Sequence, residues 1–352
     1  MIQSNRLIWL LCLLLLADGL SAQTSSQEAY EFLSLPSSAR ETALGGSLIT
    51  VVDEDISLAF SNPAALNPQM HNRLNFNHNF HLAGISNGYF SYGRSVEKWK
   101  TTFHAGVKYI DYGTFDEADE FGNRNGEFTA GELAVFIGGA YSMNERLSIG
   151  SNLKFIQSDF AGFNSTGLAT DIAMTYRNAE SRLTVSAVAK NLGSQISSYN
   201  NDLRLAPIDL QIGVSKRLKY LPFRFSVIAH HLHQWNIRYD SPLAQEVDIL
   251  GDPIESSGFS KFTDNFFRHF IFNGEFLFGS NEVMRLRLGY NHLRRKELSV
   301  SGLRSLAGFS LGLGFKVSSF RLDYGVGYHH LAGGVNHVSI STDLDSFFKK
   351  KI

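Results

Sequence analysis

The sequence predicts an all-β fold, a transmembrane antiparallel β-barrel of about 14 strands with an N-terminal plug segment inside it. Apolar and polar side chains alternate along roughly fourteen stretches between residues 72 and 343, most of them about ten residues or longer. Strands of soluble proteins run to about five or six residues, whereas those of membrane barrels need about nine to eleven. None of the seven prolines falls in the middle of a stretch, as expected for paired strands.

The stretch at residues 147–155 illustrates the alternation, with apolar side chains on one face and small or polar ones on the other. A soluble β-sandwich shows the same period, so alternation alone indicates only an all-β protein. The strand lengths and the pattern of connections favour the barrel. The period recurs along residues 168–176, 208–214, 270–278, 285–288, 303–316 and 320–328.

The predicted connections are of two kinds, and their alternation is typical of a barrel with a periplasmic and an outer side. We expect the longer connections to face outward. The short ones fall at residues 95–98, 143–145, 178–181, 217–221, 280–282 and 318–319. The longer, polar ones fall at residues 112–126, 158–165, 191–205, 235–265 and 292–302.

The first 22 residues are predicted to be a secretory signal peptide. Asn5 and Arg6 precede an apolar run from Leu7 to Ala17, and small residues before Gln23 offer a cleavage site. The run has roughly half of the ~20 residues that a membrane-spanning helix needs. Because Cys12 is the only cysteine, the exported chain is expected to lack disulfides, cysteine metal sites and thiol nucleophiles.

Residues 29–70 differ in composition from the rest of the chain. They include many small residues, an acidic run at residues 53–55 and three of the seven prolines. Proline breaks a sheet ladder, yet the segment is too apolar for a solvated loop, so we predict a compact plug. A ring of about 14 strands leaves a lumen that side chains alone do not fill. The predicted parts of the chain are residues 1–22 (signal peptide), 23–71 (plug), 72–343 (barrel) and 344–352 (C-terminal tail).

The plug is expected to enter from the periplasmic side. Inward-facing charges on the strands are the expected partners of its acidic run, and the alternative is that they line a wet pore. These charges are Lys154, Asp171, Arg285, Arg287, Lys316 and Asp323.

Several function classes are disfavoured. The net charge of −1 and the scattered basic residues offer no field for nucleic acid. Ser-x-x-Lys patterns at residues 95–98 and 151–154 fall in a turn and a strand, and no Lys-Thr-Gly element accompanies them, so we predict no catalytic site. Adjacent histidines at residues 230–231 and 329–330 are expected to point to opposite faces of strands, and the acidic stretch at 116–125 to be a solvated loop. No cofactor or metal is predicted.

Residues 61–66, Ser-Asn-Pro-Ala-Ala-Leu, resemble the Asn-Pro-Ala hatch motif of FadL-type outer-membrane barrels. Residues 39–46 are similar to the segment that precedes this motif in the PorV/PorQ family of the type IX secretion system. Residues 29–36, 69–74 and 109–113 resemble the PorQ members of that family, and the match covers nearly the whole chain after residue 22. The resemblance implies fourteen strands, a hatch inside the barrel, and a structural role for Arg40, Gly45, Gly46, Asn62, Pro63 and Ala64.

The resemblance further implies a non-enzymatic outer-membrane scaffold, surrounded by lipid and lipopolysaccharide. Its partners would be a PorZ-like surface protein, a PorU-like sortase that carries the chemistry, and a PorV-like barrel. We expect the connection at residues 235–265 to bind the surface partner, although some of its aromatic residues would also suit a lipid interface. The alternative is a FadL-like transporter of hydrophobic small molecules. The candidate partner-binding residues are Trp235, Pro253, Phe259 and Phe262.

Overall fold

The computed structural model describes residues 28–200, 202–238, 258–279, 282–298, 305–330 and 333–348. Fourteen antiparallel strands form a closed barrel in which each strand pairs with its sequence neighbours and β1 closes on β14. The predicted fourteen-stranded barrel is confirmed. The strands are β1 (Arg73–Phe80), β2 (Ser86–Val96), β3 (Thr101–Ala118), β4 (Arg124–Ser142), β5 (Leu147–Phe160), β6 (Phe163–Asn178), β7 (Leu183–Ser197), β8 (Asp209–Arg217), β9 (Phe223–Ala229), β10 (Phe270–Phe278), β11 (Met284–Asn291), β12 (Phe309–Val317), β13 (Phe320–His330) and β14 (Gly333–Asp343).

The strands turn their apolar faces outward. On β5, Ile149 and Leu153 are 42% and 53% exposed, whereas the alternate residues Asn152 and Lys154 are 1% and 0% exposed. In a soluble protein the apolar face of a sheet is the buried one. The reversed pattern is the arrangement expected of a barrel whose outer face contacts lipid.

The two ends of the barrel differ. At one end, here the short-turn end, few residues join β2 to β3, β4 to β5, β6 to β7, β8 to β9, β10 to β11 and β12 to β13. The opposite end, here the long-connection end, carries the connections around residues 198–208, 230–269 and 292–308.

Two of the predicted long connections are wrong, and a third, residues 191–205, begins within β7, which continues to Ser197. Residues 112–126 are mainly strand, since β3 continues to Ala118 and β4 begins at Arg124. Residues 158–165 are likewise a tight hairpin, in which Ala161 and Gly162, with φ of 52° and 82°, join β5 to β6. The tips of these hairpins are exposed on both faces, so they lack the alternation by which a strand is recognised.

Residues 29–70, here the inner segment, contain helix α1 (Ala39–Ala43) and four 3-10 turns. Backbone and side-chain groups of the segment form hydrogen bonds with side chains on many sides of the ring, including β3, β5, β6, β8, β10, β11, β12 and β14. Since the partners on the strands are the buried, inward residues, the segment lies on the inner side of the sheet. The 3-10 turns are Glu31–Ser34, Ile56–Phe60, Pro63–Ala65 and Pro68–Met70.

The inner segment spans the depth of the barrel. Its first residue, Ala29, donates its backbone N–H to the carbonyl of Leu205 at the long-connection end, 2.8 Å away. The Tyr30 hydroxyl lies 2.7 Å from Ser165 Oγ in β6 near the same end. The segment leads into Arg73, which opens β1 at the short-turn end. Hydrogen bonds thus hold the start of the inner segment at the long-connection end, and its expected entry from the periplasmic side stays a prediction.

Two helices lie at the long-connection end, α2 (Gly258–Arg268) and α3 (His292–Glu297), and a short helix α4 (Asp345–Phe348) follows β14. The predicted loop at residues 235–265 thus includes part of a helix, while residues 239–257 lie outside the described residues. Within the described ranges, no helix has both the length and the apolar character needed to cross a membrane. The expected signal peptide at residues 1–22 and the last four residues of the tail also lie outside the description.

Candidate functional site

The Asn-Pro-Ala motif forms a buried hydrogen-bonded turn. Asn62, which is 0% exposed, accepts the N–H of Ala64 at its Oδ1 over 2.9 Å. Its Nδ2 donates to the Ile49 carbonyl at 2.6 Å and to Thr175 Oγ1 of β6 at 3.0 Å. Pro63 occupies the first position of the turn, where its missing N–H costs nothing. The motif therefore ties two parts of the inner segment to each other and to the barrel wall.

Small residues in the wall allow the motif to approach closely. A Cβ added to Gly150 of β5 would lie 2.5 Å from the carbonyl carbon of Pro63. Ser148 on the same strand donates its hydroxyl to the Ala64 carbonyl at 2.7 Å. Pro63 and Ala64 thus pack directly on the inner face of β5.

Gly45 and Gly46 end α1 in the left-handed region, with φ of 85° and 97°. The Gly46 N–H returns to the Glu41 carbonyl at 2.8 Å, closing the last turn of the helix. Gly45 donates its N–H to Ser310 Oγ of β12 at 2.9 Å and accepts from Asn291 at 3.1 Å. This turn is held between two neighbouring strands.

Arg40 is the centre of a buried network of charges. Its side chain is 1% exposed, and its guanidinium lies 2.8 Å from Asp53, 3.1 Å from Asp55 and 3.0 Å from Glu275 of β10. One cation is thus shared by two carboxylates of the inner segment and one of the wall. Such a group is stable in a buried site only because each charge is paired and hydrogen bonded.

The network continues across the wall. Glu275 also accepts from Arg224 of β9 and, at 2.9 Å, from Arg287 of β11. Arg287 pairs in turn with Asp323 of β13 at 2.6 Å, and Arg285 lies 3.9 Å from Asp53. Four guanidinium groups and four carboxylates therefore balance one another inside the barrel.

Two of the predicted wall charges do pair with the acidic run. Arg285 lies beside Asp53, and Lys316 lies 3.4 Å from Glu54. The other four pair with wall residues. Lys154 and Asp171 form a buried pair at 2.8 Å, and Arg287 pairs with Asp323 as described above. The sequence did not identify the partners that lie closest to the acidic run or that link it to the wall: Arg40, Arg73, Arg224, Glu275 and Arg321.

Exposed aromatic residues gather at the long-connection end. Trp235, Phe259 and Phe262, here the aromatic surface, are 56%, 81% and 56% exposed. The rings of Trp235 and Phe262 lie 5.9 Å apart, and Trp235 stacks on His269 at 5.4 Å. Asn265 of α2 donates to the Trp235 carbonyl at 2.7 Å and so fixes the residue beside the helix. Pro253, the fourth predicted residue, lies outside the described residues.

Asp264 joins α2 to α3. Its carboxylate lies 2.9 Å from Arg268 on its own helix and 3.2 Å from Lys296 on α3. Burial raises the pKa of Asp264, but Arg268 and Lys296 lower it by more, so that it lies below its usual value. The ion pairs hold the aromatic surface on a structured base.

The prediction that His230 and His231 point apart is wrong. Strand β9 ends at Ala229, and His231 has a left-handed backbone with φ of 54°. Their Nδ1 atoms face each other, and an oxygen of Asp209 lies beside them, with all three candidate ligand atoms within 4.8 Å of one another. The alternation rule fails here because it holds only for a regular strand.

No family model matches the chain, and none of the curated proteins matches it. Among solved structures, a ΔS2S3 mutant of the monoaromatic hydrocarbon channel TodX is 13% identical, with 88% of this chain and 99% of that chain covered and a TM-score of 0.51. The monoaromatic hydrocarbon channel CymD is 14% identical over 88% of this chain and 96% of that chain, also with a TM-score of 0.51. Neither bears the name of the PorV/PorQ family, so that assignment stays a prediction. The chain has the barrel fold of these channels.

Proposed function

We propose that the protein is a non-enzymatic outer-membrane barrel of the PorV/PorQ kind, with its lumen closed by the inner segment and a surface protein held at its long-connection end. The observation that carries the proposal is the charge network around Arg40, which joins the inner segment to β9, β10 and β11. A segment anchored by buried ion pairs is costly to displace, because each broken pair leaves a charge without a partner.

The inner face of the wall also argues against an apolar path. On β5 the inward residues Asn152 and Lys154 are buried and polar, and on β11 Arg285 and Arg287 are buried and charged. A hydrophobic molecule crossing the lumen would have to pass these groups and remove their partners. A closed scaffold makes no such demand.

The aromatic surface supports the second half of the proposal. Exposed aromatic side chains are the commonest anchors in protein interfaces, because each buries a large area at a small cost in conformational entropy. Trp235, Phe259 and Phe262 lie together on a structured base, at the end expected to face outward. The partner expected from the resemblance is a PorZ-like surface protein, in a complex with a PorU-like sortase and a PorV-like barrel.

The test is to replace Trp235 and Phe262 by serine and to isolate the barrel from outer membranes with its bound proteins. We expect a large surface protein to be lost while the barrel assembles normally. Phe121→Ser is the matched control, since Phe121 is 82% exposed at the β3–β4 turn of the same end. Equal recovery of the partner with the double variant and the control would contradict the proposal.

The orientation is tested separately. Cysteine at Asn123, in the β3–β4 turn, should react with an impermeant reagent on whole cells, whereas cysteine at Asn144, in the β4–β5 turn, should react only after permeabilisation. The reverse pattern would place the aromatic surface in the periplasm and remove it as a site for a surface partner.

Transport of a hydrophobic small molecule is the second candidate. The names of TodX and CymD favour it over the scaffold, since both are monoaromatic hydrocarbon channels. A hollow of about 1020 Å³ also lies against the outward faces of β3–β8, and its lining is largely apolar, with Ile172, Met174, Ala187 and Ile212 among its residues. Two results together would favour the channel. Partner recovery would be normal with the Trp235 and Phe262 double variant, and deletion of the whole protein would abolish uptake of monoaromatic hydrocarbons.

A further inference from the structure

Asp209, His230 and His231 form a cluster of donor atoms at the long-connection end. Asp209 opens β8, and the two histidines follow the last residue of β9, the neighbouring strand. His231 donates its backbone N–H to Asp209 Oδ1 at 2.7 Å, and Gln211 donates to Asp209 Oδ2. These two bonds fix the carboxylate, and each of its oxygens retains a lone pair.

A bulge brings the histidines together. Ile212 pairs with Ala229, but the next bond joins the Leu232 N–H to the Leu210 carbonyl at 3.0 Å. Two residues, His230 and His231, therefore face the single residue Gln211, which is the arrangement of a β-bulge. The extra residue breaks the alternation of side chains and turns both imidazoles toward Asp209.

The ring nitrogens of the pair need a positive charge or a proton between them. His230 and His231 approach each other through their Nδ1 atoms. If both Nδ1 atoms are unprotonated, their lone pairs face each other and repel. A cation bound by both imidazoles, or a proton shared between them, removes this repulsion.

The wider surroundings carry both signs of charge. The carboxylates of Glu31 and Glu297 interact electrostatically with His231. Lys190, Arg294 and the imidazoles of His233 and His269 act in the opposite sense on the cluster. The Asp209 carboxylate, as a direct ligand, would offset part of the charge of a bound cation.

We propose that Asp209, His230 and His231 bind one divalent first-row transition-metal ion, of which Zn²⁺ is the best match. Two imidazoles and one carboxylate are a common protein donor set for Zn²⁺, with bonds of about 2.0–2.2 Å and a fourth position left for water. Tetrahedral ligands at that bond length lie about 3.3 Å apart. The donor atoms lie within 4.8 Å of one another, so small movements of these side chains would bring them to this spacing.

The site lies at the base of the aromatic surface. The backbone N–H of His230 bonds to the His269 carbonyl at 2.9 Å, and His269 Nδ1 lies 2.8 Å from the His230 carbonyl. His269 in turn stacks on Trp235. A bound metal would therefore stabilise the connection that carries the aromatic surface.

The test uses the full-length barrel, purified in detergent, stripped with a chelator and titrated with Zn²⁺ by calorimetry. We expect one Zn²⁺ per chain and a rise in Tm on binding. His231→Ala and Asp209→Asn should each weaken binding by at least about tenfold, since loss of a ligand costs no less than loss of a supporting group. The double variant His230→Ala/His231→Ala should not bind.

His292→Ala is the matched control, because His292 lies at the same end of the barrel and pairs with Tyr290 and Asp264 instead. It should bind Zn²⁺ as the unaltered protein does. If the buried His230 is needed for assembly, the half-buried His231 and Asp209 variants carry the test alone. Equal Zn²⁺ binding by the unaltered protein and these variants would overturn the proposal and leave a shared proton between the imidazoles as the explanation.

Discussion

The inner segment and the aromatic surface differ in how their side chains are used. In the inner segment, Arg40 and Asn62 are 1% and 0% exposed, and each bonds both within the segment and to one strand of the wall, β10 for Arg40 and β6 for Asn62. At the aromatic surface, Phe259 is 81% exposed and rests on a helix held by ion pairs at its edge. The first region is costly to disturb, and the second is available for contact.

This difference teaches where stability and recognition are separated in the molecule. Substitutions of groups that link the inner segment to the wall should change the stability of the barrel. They should not change the binding of a partner at the aromatic surface. Variants of each region test that separation.

Removal of Arg40 should have the largest effect. Arg40→Met leaves Asp53, Asp55 and Glu275 without their shared cation, and breaking a buried ion pair costs about 3–5 kcal/mol. The measurement is the free energy of unfolding of the purified barrel in denaturant. Arg124→Met, which breaks only an exposed pair with Asp116, should change it by about 0–1 kcal/mol. Similar losses for both variants would remove the distinction between the two regions.

Asn62→Ala should rank next. The substitution removes the acceptor for Ala64 and leaves the Ile49 carbonyl and Thr175 with one partner fewer, so a loss of about 1–3 kcal/mol is expected. Thermal unfolding of the barrel measures it. An unchanged Tm combined with the loss of a chemical activity would assign Asn62 a catalytic role instead.

A side chain at Gly150 should separate the motif from the wall. Gly150→Val pushes against Pro63 and Ala64, and overpacking of this kind costs about 1–3 kcal/mol. Ser151→Val is the matched control, because the neighbouring residue faces outward. Protease sensitivity of the inner segment should rise in the first variant only, and a rise in both would mean that the wall rather than the motif had failed.

The smallest effect is expected at Asp264. Its folded pKa lies below its usual value, so its contribution to stability is present above about pH 4 and is lost as the pH falls through the lowered pKa. Asp264→Asn should therefore match the effect of acid, with a cost of about 0.2–1 kcal/mol confined to α2 and α3. Amide hydrogen exchange of α2 measures the change, and exchange that spreads to the inner segment would contradict the separation.

The sequence predicted the barrel because alternation is a local property that survives without tertiary information. It mispredicted residues 112–126 as a loop, because the hairpin tip there is exposed on both faces and has no period to detect. Helix α2 was missed for a related reason, since a polar connection surrounds it. The boundaries of strands and helices are thus what the hydrophobic pattern predicts least accurately.

Residue pairs far apart in sequence were harder still. The acidic run at residues 53–55 suggested basic partners, but nothing local distinguishes Arg40 or Arg224 from the other basic residues. His230 and His231 were predicted to point to opposite faces because side chains alternate along a regular strand, and the bulge breaks that alternation. In each case the deciding fact is which strands are neighbours and in which register, and this is fixed only by the closed ring.

The position of the inner segment has a consequence for the order of assembly. The Ala39 N–H donates to Ser339 Oγ of β14 at 2.8 Å, and the 3-10 turn Ile56–Phe60 lies against β1, so the segment touches both sides of the seam where the ring closes. A chain that runs the depth of the ring is enclosed once β1 pairs with β14. We therefore expect the segment to be in place before β1 pairs with β14, because a ring that closed first would have to admit the segment through one of its ends.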